Sequence, residues 1–452
     1  MTKNIIHTKK RNSLNIDAPL HVTGRTKYVD DLPELQGTLF VKAFYSNVAH
    51  GKIKRLDYSK AEALPDVVRV LSHKDIPGEN QIGGIVQDEP LLAEKEVHFI
   101  GQPILLVIAK TDLIAHKALD LIEIEFEQKR IITDPKEAKE AGELLVPPRS
   151  LSLGNTKKAF EGCEYIFEGT AESGGQEHVY LEPQGAYAIP QDNGSIKIHS
   201  STQGPTAVQR TTARVLGVSM NQIEVDVSRL GGGFGGKEDQ ASPWGAMVAL
   251  AAFHTQKPVK YILERKEDLQ MTGKRHPYKN EYKIGLDKDL IIKAFEGTYY
   301  QNGGAAADLS PAVLGRTTFH ATNSYFIPNV NVTAYSCRTN LPPNTAFRGF
   351  GGPQGMFVIE VAIHHAAKSL GVSPEIIQEK NLLFEKAEFP YGQLTEDCEA
   401  QNCWNQAKSR YDLVGLKKEI ADYNSTNELT KKGMTLMPVC FGISFTNTMM
   451  NN

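Results

Sequence analysis

Three times between Gly185 and Gly371 the sequence repeats one device. An alternating apolar run suited to a strand leads into a loop of small residues, and a run of helical period follows. In "AYAIPQDNGSIKIHS" Asn193-Gly194 supplies the positive-φ turn of a hairpin, with Ile196 and Ile198 alternating behind it. The chain then reaches Gln203 in "STQGP", where Pro205 suits the first turn of a helix. Next, Ile223, Val225 and Val227 alternate into "RLGGGFGGKED" (229–239), after which Trp244, Met247, Val248, Ala251 and Ala252 share a helical face. Third, "NTAFRGFGGPQG" precedes a helix carrying Met356, Ile359, Ile363 and Leu370, with Gly371 as its C-cap. Loops at strand-to-helix junctions can converge on one crevice, as they do in other α/β proteins.

Around this region the organisation is that of a mixed α/β chain. Residues 1–17 form a polar tail. Residues 18–141 alternate strands and helices, most clearly in "QPILLVIAKTDLIAHKALDLIEIEFE" (102–127), where Ile104 to Ala109 suit a strand covered on both faces. The prolines and small polar residues of 142–160 predict a linker. Residues 161–395 hold the three loops, and 396–452 begin a third, incomplete unit. That unit is helical at first and ends with Val439, Phe441, Ile443 and Phe445 alternating as a strand with one buried face.

Composition narrows the partners. A net charge of −3 with scattered Lys and Arg argues against nucleic acid. No apolar run approaches the ~18 residues of a membrane span, and no signal peptide precedes residue 20. Five cysteines without a C-x-x-C pair suit a cytoplasmic protein and exclude an iron–sulfur cluster held in a common ferredoxin spacing.

The loop 229–239 fits two familiar glycine patterns and satisfies neither. A phosphate loop needs Ser or Thr after its lysine to hold Mg²⁺, and here Lys237 is followed by Glu238. A dinucleotide fingerprint would place pyrophosphate at a helix N-terminus that Glu238 and Asp239 make acidic. A tight turn that merely packs a helix on a sheet leaves the Phe-Gly-Gly repetition at 234–236 and 350–352 unexplained.

Taken together, "STQGP", "RLGGGFGGKE" and "NTAFRGFGGPQG" resemble the molybdenum-binding subunit of the xanthine dehydrogenase and aldehyde oxidase family. "APLHVTGRTKYVDD", "GGQEHVYLEPQGAYAIP" and "TGKRHPYKNEYKIG" extend the resemblance in order from Ala18 onward. It implies an α/β hammerhead domain over 18–141, a first molybdenum-cofactor-binding domain over 161–395, and the start of a second. It also implies a molybdenum–molybdopterin cofactor whose metal is held by dithiolene sulfurs, so that no protein ligand is needed. On the same ground Gln203, Phe234 and Arg348 approach the ligands of the metal, with Gly233 and Gly235 giving backbone access. Glu238 and Arg316 would hold a purine, xanthine or hypoxanthine, and Phe350 would be one of two rings that sandwich it.

Further consequences of the resemblance concern what lies elsewhere. The general-base glutamate is expected beyond this chain, on a polypeptide supplying the C-terminal part, so the isolated chain is expected to be inactive. Iron–sulfur clusters and FAD are expected on partner subunits or domains, in an oligomeric assembly. A non-catalytic fragment that only binds partner subunits, and a hydroxylase of another N-heterocycle or an aldehyde, are the alternatives. Glu177, His178 and Glu182 suggest a metal cluster, but in a strand they would alternate faces. His364 and His365 follow Glu360 without the H-E-x-x-H order and are expected to be packing or surface residues.

Overall fold

The computed structural model describes residues 15–442. Its largest sheet has seven strands in the order Ile223–Asp226, Ile196–Ser200, Gly185–Pro190, Val259–Ile262, Leu39–Tyr45, Pro103–Ala109, Val67–Leu71. Ile104 to Ala109 are at most 1 % exposed, as their continuous apolar run requires. The hairpin at Asn193-Gly194 forms as expected, with Ile196 opposite Pro190 and Gly194 at φ +81°. Helices Pro205–Leu216 and Ser242–Thr255 contribute Val215, Leu216, Met247 and Leu250 to the sheet's core.

A second sheet has five strands in the order Arg149–Leu153, Val330–Arg338, Ile292–Gly304, Tyr278–Leu286, Tyr165–Ser173. The helix Gly352–Leu370 buries Val358, Ile359, Ala362 and Ile363 in its core and ends at Gly371 with φ +67°. A small third sheet joins Glu96–Val97, Gly51–Asp57 and Glu123–Gln128.

The structure corrects three expectations. Residues 142–160 are no linker: Arg149–Leu153 pairs antiparallel with Val330–Arg338, and a helix starts at Thr156. Prolines and polar residues marked an edge strand there, since an edge needs hydrogen bonds on one side only. Nor does the largest sheet stop at the expected boundary, because Leu39 pairs in parallel with Val259 and joins strands from both sides of it. Finally, no strand forms over 439–442. Val439 is 57 % exposed, Phe441 packs on His320, and Ile443 and Phe445 lie outside the described residues.

Candidate active site

The three small-residue loops do meet. Gln203, just before the helix Pro205–Leu216, takes the backbone N–H groups of Gly235 (2.9 Å) and Lys237 (3.3 Å) on its Oε1. Its own N–H donates to the Lys237 carbonyl at 2.7 Å. Two donors on one amide oxygen fix which end of the side chain is which. The NH₂ group is therefore left facing outward on an exposed residue, with no acceptor among the described residues. A methyl group on Gly233 would overlap this amide, so glycine there is required by close approach.

The two Phe-Gly-Gly loops are built alike. Phe234 and Phe350 both hold positive φ, +56° and +51°, each flanked by positive-φ glycines: Gly232 and Gly235, Gly349 and Gly351. Left-handed backbone at a phenylalanine costs on the order of 1–3 kcal/mol and persists only where surroundings impose it. Here the loops hold each other, the Arg348 N–H donating to the Phe234 carbonyl at 2.9 Å.

Behind them runs the segment 174–184, which has no strand, so the alternation argument for Glu177, His178 and Glu182 does not apply. They form no metal cluster either; His178 and Glu182 brace the loop. His178 Nε2–H donates to the Ala346 carbonyl at 2.7 Å beneath Phe347. Glu182 accepts from the Gly231 N–H at 2.7 Å, and Gln184 donates to the Gly236 carbonyl at 2.8 Å.

Lys237 points into this brace, away from the loop's mouth. Its ammonium is fully buried and donates to the Glu182 carbonyl and to Ser201 Oγ, each at 2.6 Å, over the Tyr180 ring. Burial pushes it down to about 8. A lysine so placed cannot reach a phosphate in the crevice.

One cavity of about 290 Å³ opens on the other side of the loops, lined by Phe234, Gly235, Glu238, Arg316, Phe347, Arg348 and Phe350, with Phe441 and Gly442. A larger cavity, near Trp404 and Phe389, lies against none of the expected site residues. Burial, then the neighbouring Asp239, pushes the Glu238 carboxyl up to about 7. Arg316 lies on the helix Ser310–Phe319, and its Nη1 donates to the Gly442 carbonyl at 2.5 Å while the guanidinium covers the Phe441 ring. His320, one turn on, donates from Nδ1 to the Arg316 carbonyl and accepts the Gly442 N–H on Nε2. Phe350 packs on Leu309, Val313 and Ala346. The Arg348 guanidinium is exposed and pairs with no acid among the described residues.

The sequence alone did not bring Phe441, Gly442 or His320 to the site. Gly442 lies 126 residues from Arg316, and an alternating pattern had suggested only a strand there.

The donor set suits a ligand rich in oxygen acceptors. Arg348 lines the cavity, and Gln203, which does not, holds the loop between them, which is mostly bare backbone. Among the described residues no three His, Cys, Asp or Glu ligand atoms converge at this cavity. A metal held here would bring its own ligands, as a pterin dithiolene does.

Residues 139–382 match the family model of the molybdopterin cofactor-binding domain, and residues 23–130 that of the aldehyde oxidase and xanthine dehydrogenase a/b hammerhead domain. The chain belongs to the xanthine dehydrogenase and aldehyde oxidase family. It is 39 % identical to xanthine dehydrogenase/oxidase of Gallus gallus over 98 % of this chain and 33 % of that protein. It is also 39 % identical to xanthine dehydrogenase of Oryza sativa over 97 % of this chain and 32 % of that one. The chain thus spans about a third of the length of the curated relatives it matches. The solved aldehyde oxidoreductase of Desulfovibrio gigas superposes with a TM-score of 0.84 at 27 % identity, covering 92 % of this chain and 47 % of that one. Within this molybdopterin-binding family frame, all of the cavity's lining except Phe441 and Gly442 falls inside residues 139–382. No helix of the described residues is long and apolar enough to cross a membrane.

Proposed function

We propose that this chain forms the cofactor- and substrate-facing part of a molybdenum hydroxylase of xanthine dehydrogenase type, acting on a purine such as xanthine or hypoxanthine. The observation that carries the reading is that Glu238, Arg316 and Phe350 line one cavity with Phe234 and Arg348. When bound, the molybdenum–molybdopterin cofactor supplies the oxygen transfer and two-electron oxidation that no side chain here can perform. Gln203 and Arg348 donate to its oxygen ligands, and the backbone at Gly233, Phe234 and Gly235 lets it approach.

The remaining residues deal with the substrate. A carboxyl that titrates near neutrality, as Glu238 does, donates a hydrogen bond when protonated and accepts one when ionised. That suits a heterocycle whose ring nitrogens change character as negative charge moves onto them. Arg316 offers fixed donors to an exocyclic oxygen, held by Gly442 and Phe441. Phe350 supplies a ring face for stacking. The general base, the iron–sulfur clusters and FAD belong, on this reading, to partner subunits or domains of a cytoplasmic, oligomeric enzyme.

The test uses the chain assembled with its molybdenum cofactor and those partners. kcat/KM is measured for xanthine and for benzaldehyde in Arg316→Met and Glu238→Val. Each substitution should lower the xanthine value by roughly 10²–10³-fold, the cost of losing one donor to developing charge. The benzaldehyde value should fall less than about threefold, under ~0.7 kcal/mol. Equal losses on both substrates would overturn the purine assignment.

A further inference from the structure

Outside the crevice, the small three-stranded sheet carries a second cluster of metal-ligating side chains. Gly51 pairs with Val97 and Lys52 with Glu96. The antiparallel register therefore sets His50, just before one strand, opposite His98, just after the other. Glu96 and His98, two residues apart, point to the same face. The two imidazoles lie 5.6 Å apart between centroids, and His50 Nε2 is 2.8 Å from Glu96 Oε1. One ligand atom from each of His50, Glu96 and His98 lies within 4.8 Å of the other two.

We propose that His50, Glu96 and His98 bind a divalent transition-metal ion of the zinc type. Two imidazoles and one carboxylate are a ligand set that zinc accepts, with water in the fourth position. The hydrogen bonding around His50 points the same way. His50 Nδ1 lies 2.6 Å from the Arg130 carbonyl, which only accepts, so Nδ1 carries a proton. Nε2 then presents its other face to a carboxylate oxygen, and that contact is favourable only with something positive between the two atoms. A second proton would serve, and so would a metal ion.

The surroundings favour the metal. Ligating histidines characteristically donate their other ring N–H to a carbonyl, and ligating carboxylates are held on their far oxygen. Both features are present, since Lys129 Nζ donates to Glu96 Oε2 at 2.6 Å. Side-chain exposures of 21 % and 27 % at His50 and Glu96 leave an entry path and room for water. Bond lengths of about 2.0–2.1 Å put neighbouring ligand atoms about 3.3 Å apart, so His50 and Glu96, now 2.8 Å apart, would part slightly to admit the ion, with the His98 ligand atom within 4.8 Å of both. The Asn340 side chain donates to the His98 carbonyl and accepts the Ile132 N–H, so an ion would brace the sheet where it meets the cofactor-binding part.

Zinc titrated into the purified chain, followed by calorimetry, tests the assignment. One equivalent should bind in the micromolar range, and zinc should raise the Tm. His50→Ala, His98→Ala and Glu96→Gln should each weaken that binding at least about tenfold. The near-isosteric Glu96→Gln guards against a result that merely reflects misfolding. No binding up to about 100 μM zinc, far above the micromolar range, would overturn the site. So would binding that survives all three substitutions, which would place the ion elsewhere on the chain.

Discussion

Gly236→Ala should destabilise the chain by about 2–4 kcal/mol, and nearly all of that cost should pass through one imidazole ring. A β-carbon on Gly236 would lie 2.7–2.8 Å from Cγ, Cδ2 and Nδ1 of His178. The ring must therefore retreat by more than half an ångström, roughly, to regain van der Waals contact at about 3.5 Å. It has little freedom to do so. His178 is 6 % exposed, lies 4.6 Å from the Phe347 ring between centroids, and donates to the Ala346 carbonyl at 2.7 Å. Retreat that breaks this bond costs about 1 kcal/mol for the bond and about 1–3 kcal/mol for the polar atoms left buried. Staying in place costs about 1–3 kcal/mol of overpacking instead. Urea unfolding followed by the fluorescence of Trp244, which is buried in the core of the largest sheet, reads the loss. In a His178→Ala background the new methyl group has space, and the same glycine substitution should cost under about 1 kcal/mol. The double-mutant coupling should then be about 1.5–3 kcal/mol, within the range for residues in contact. Additivity within ~0.5 kcal/mol would show that His178 is not what the loop rests on.

Two further outcomes follow from burial and exposure. His276 is fully buried beside Ser310, and burial pushes it down to about 3, whereas the unfolded chain protonates near its ordinary value of about 6.5. Between those values the unfolded state holds one more proton, so stability falls as pH falls, by about 1.4 kcal/mol per pH unit. His276→Gln should remove that one-proton slope from unfolding free energy measured against pH, and an unchanged slope would refute the assignment. Arg348→Lys should leave urea stability within ~0.5 kcal/mol, because the exposed guanidinium has no acid to lose. Molybdenum retained by the assembled enzyme should fall, since a lysine cannot reproduce the planar fork. A stability loss above ~1 kcal/mol with molybdenum retained would make Arg348 structural.

Much of the architecture was legible because it rests on local periodicity. The hairpin at Asn193-Gly194, the helix starting at Pro205 and the C-cap at Gly371 each depend on a few adjacent residues, and the structure has all three. What depended on distant pairing was not legible. Nothing near Arg149 marks it as strand, because its partner is Val330–Arg338. Nothing near Leu39 announces Val259. The same divide runs through the site. Gln203, Phe234, Glu238 and Arg348 sit in loops whose glycines mark them as special, whereas Phe441 and Gly442 come from a stretch whose alternation suggested only a strand.

The glycine-rich loop also shows why its motif misleads when taken alone. Glycines license a backbone path but do not say which way the neighbouring side chains turn. Here the lysine of the motif, Lys237, turns inward to Glu182 and Ser201, while Phe234 turns outward and is 48 % exposed. A phosphate loop requires the reverse, with its lysine in the mouth. The difference lies in residues outside the motif. Glu182, Gln184 and His178 engage it from a segment with no regular structure, and the second Phe-Gly-Gly loop closes on it through the Arg348 N–H. That polar brace sustains positive φ at two phenylalanines, at a cost of ~1–3 kcal/mol each. On the proposed function, the bare backbone it keeps between Gln203 and Arg348 would let an oxygen-liganded metal centre come close.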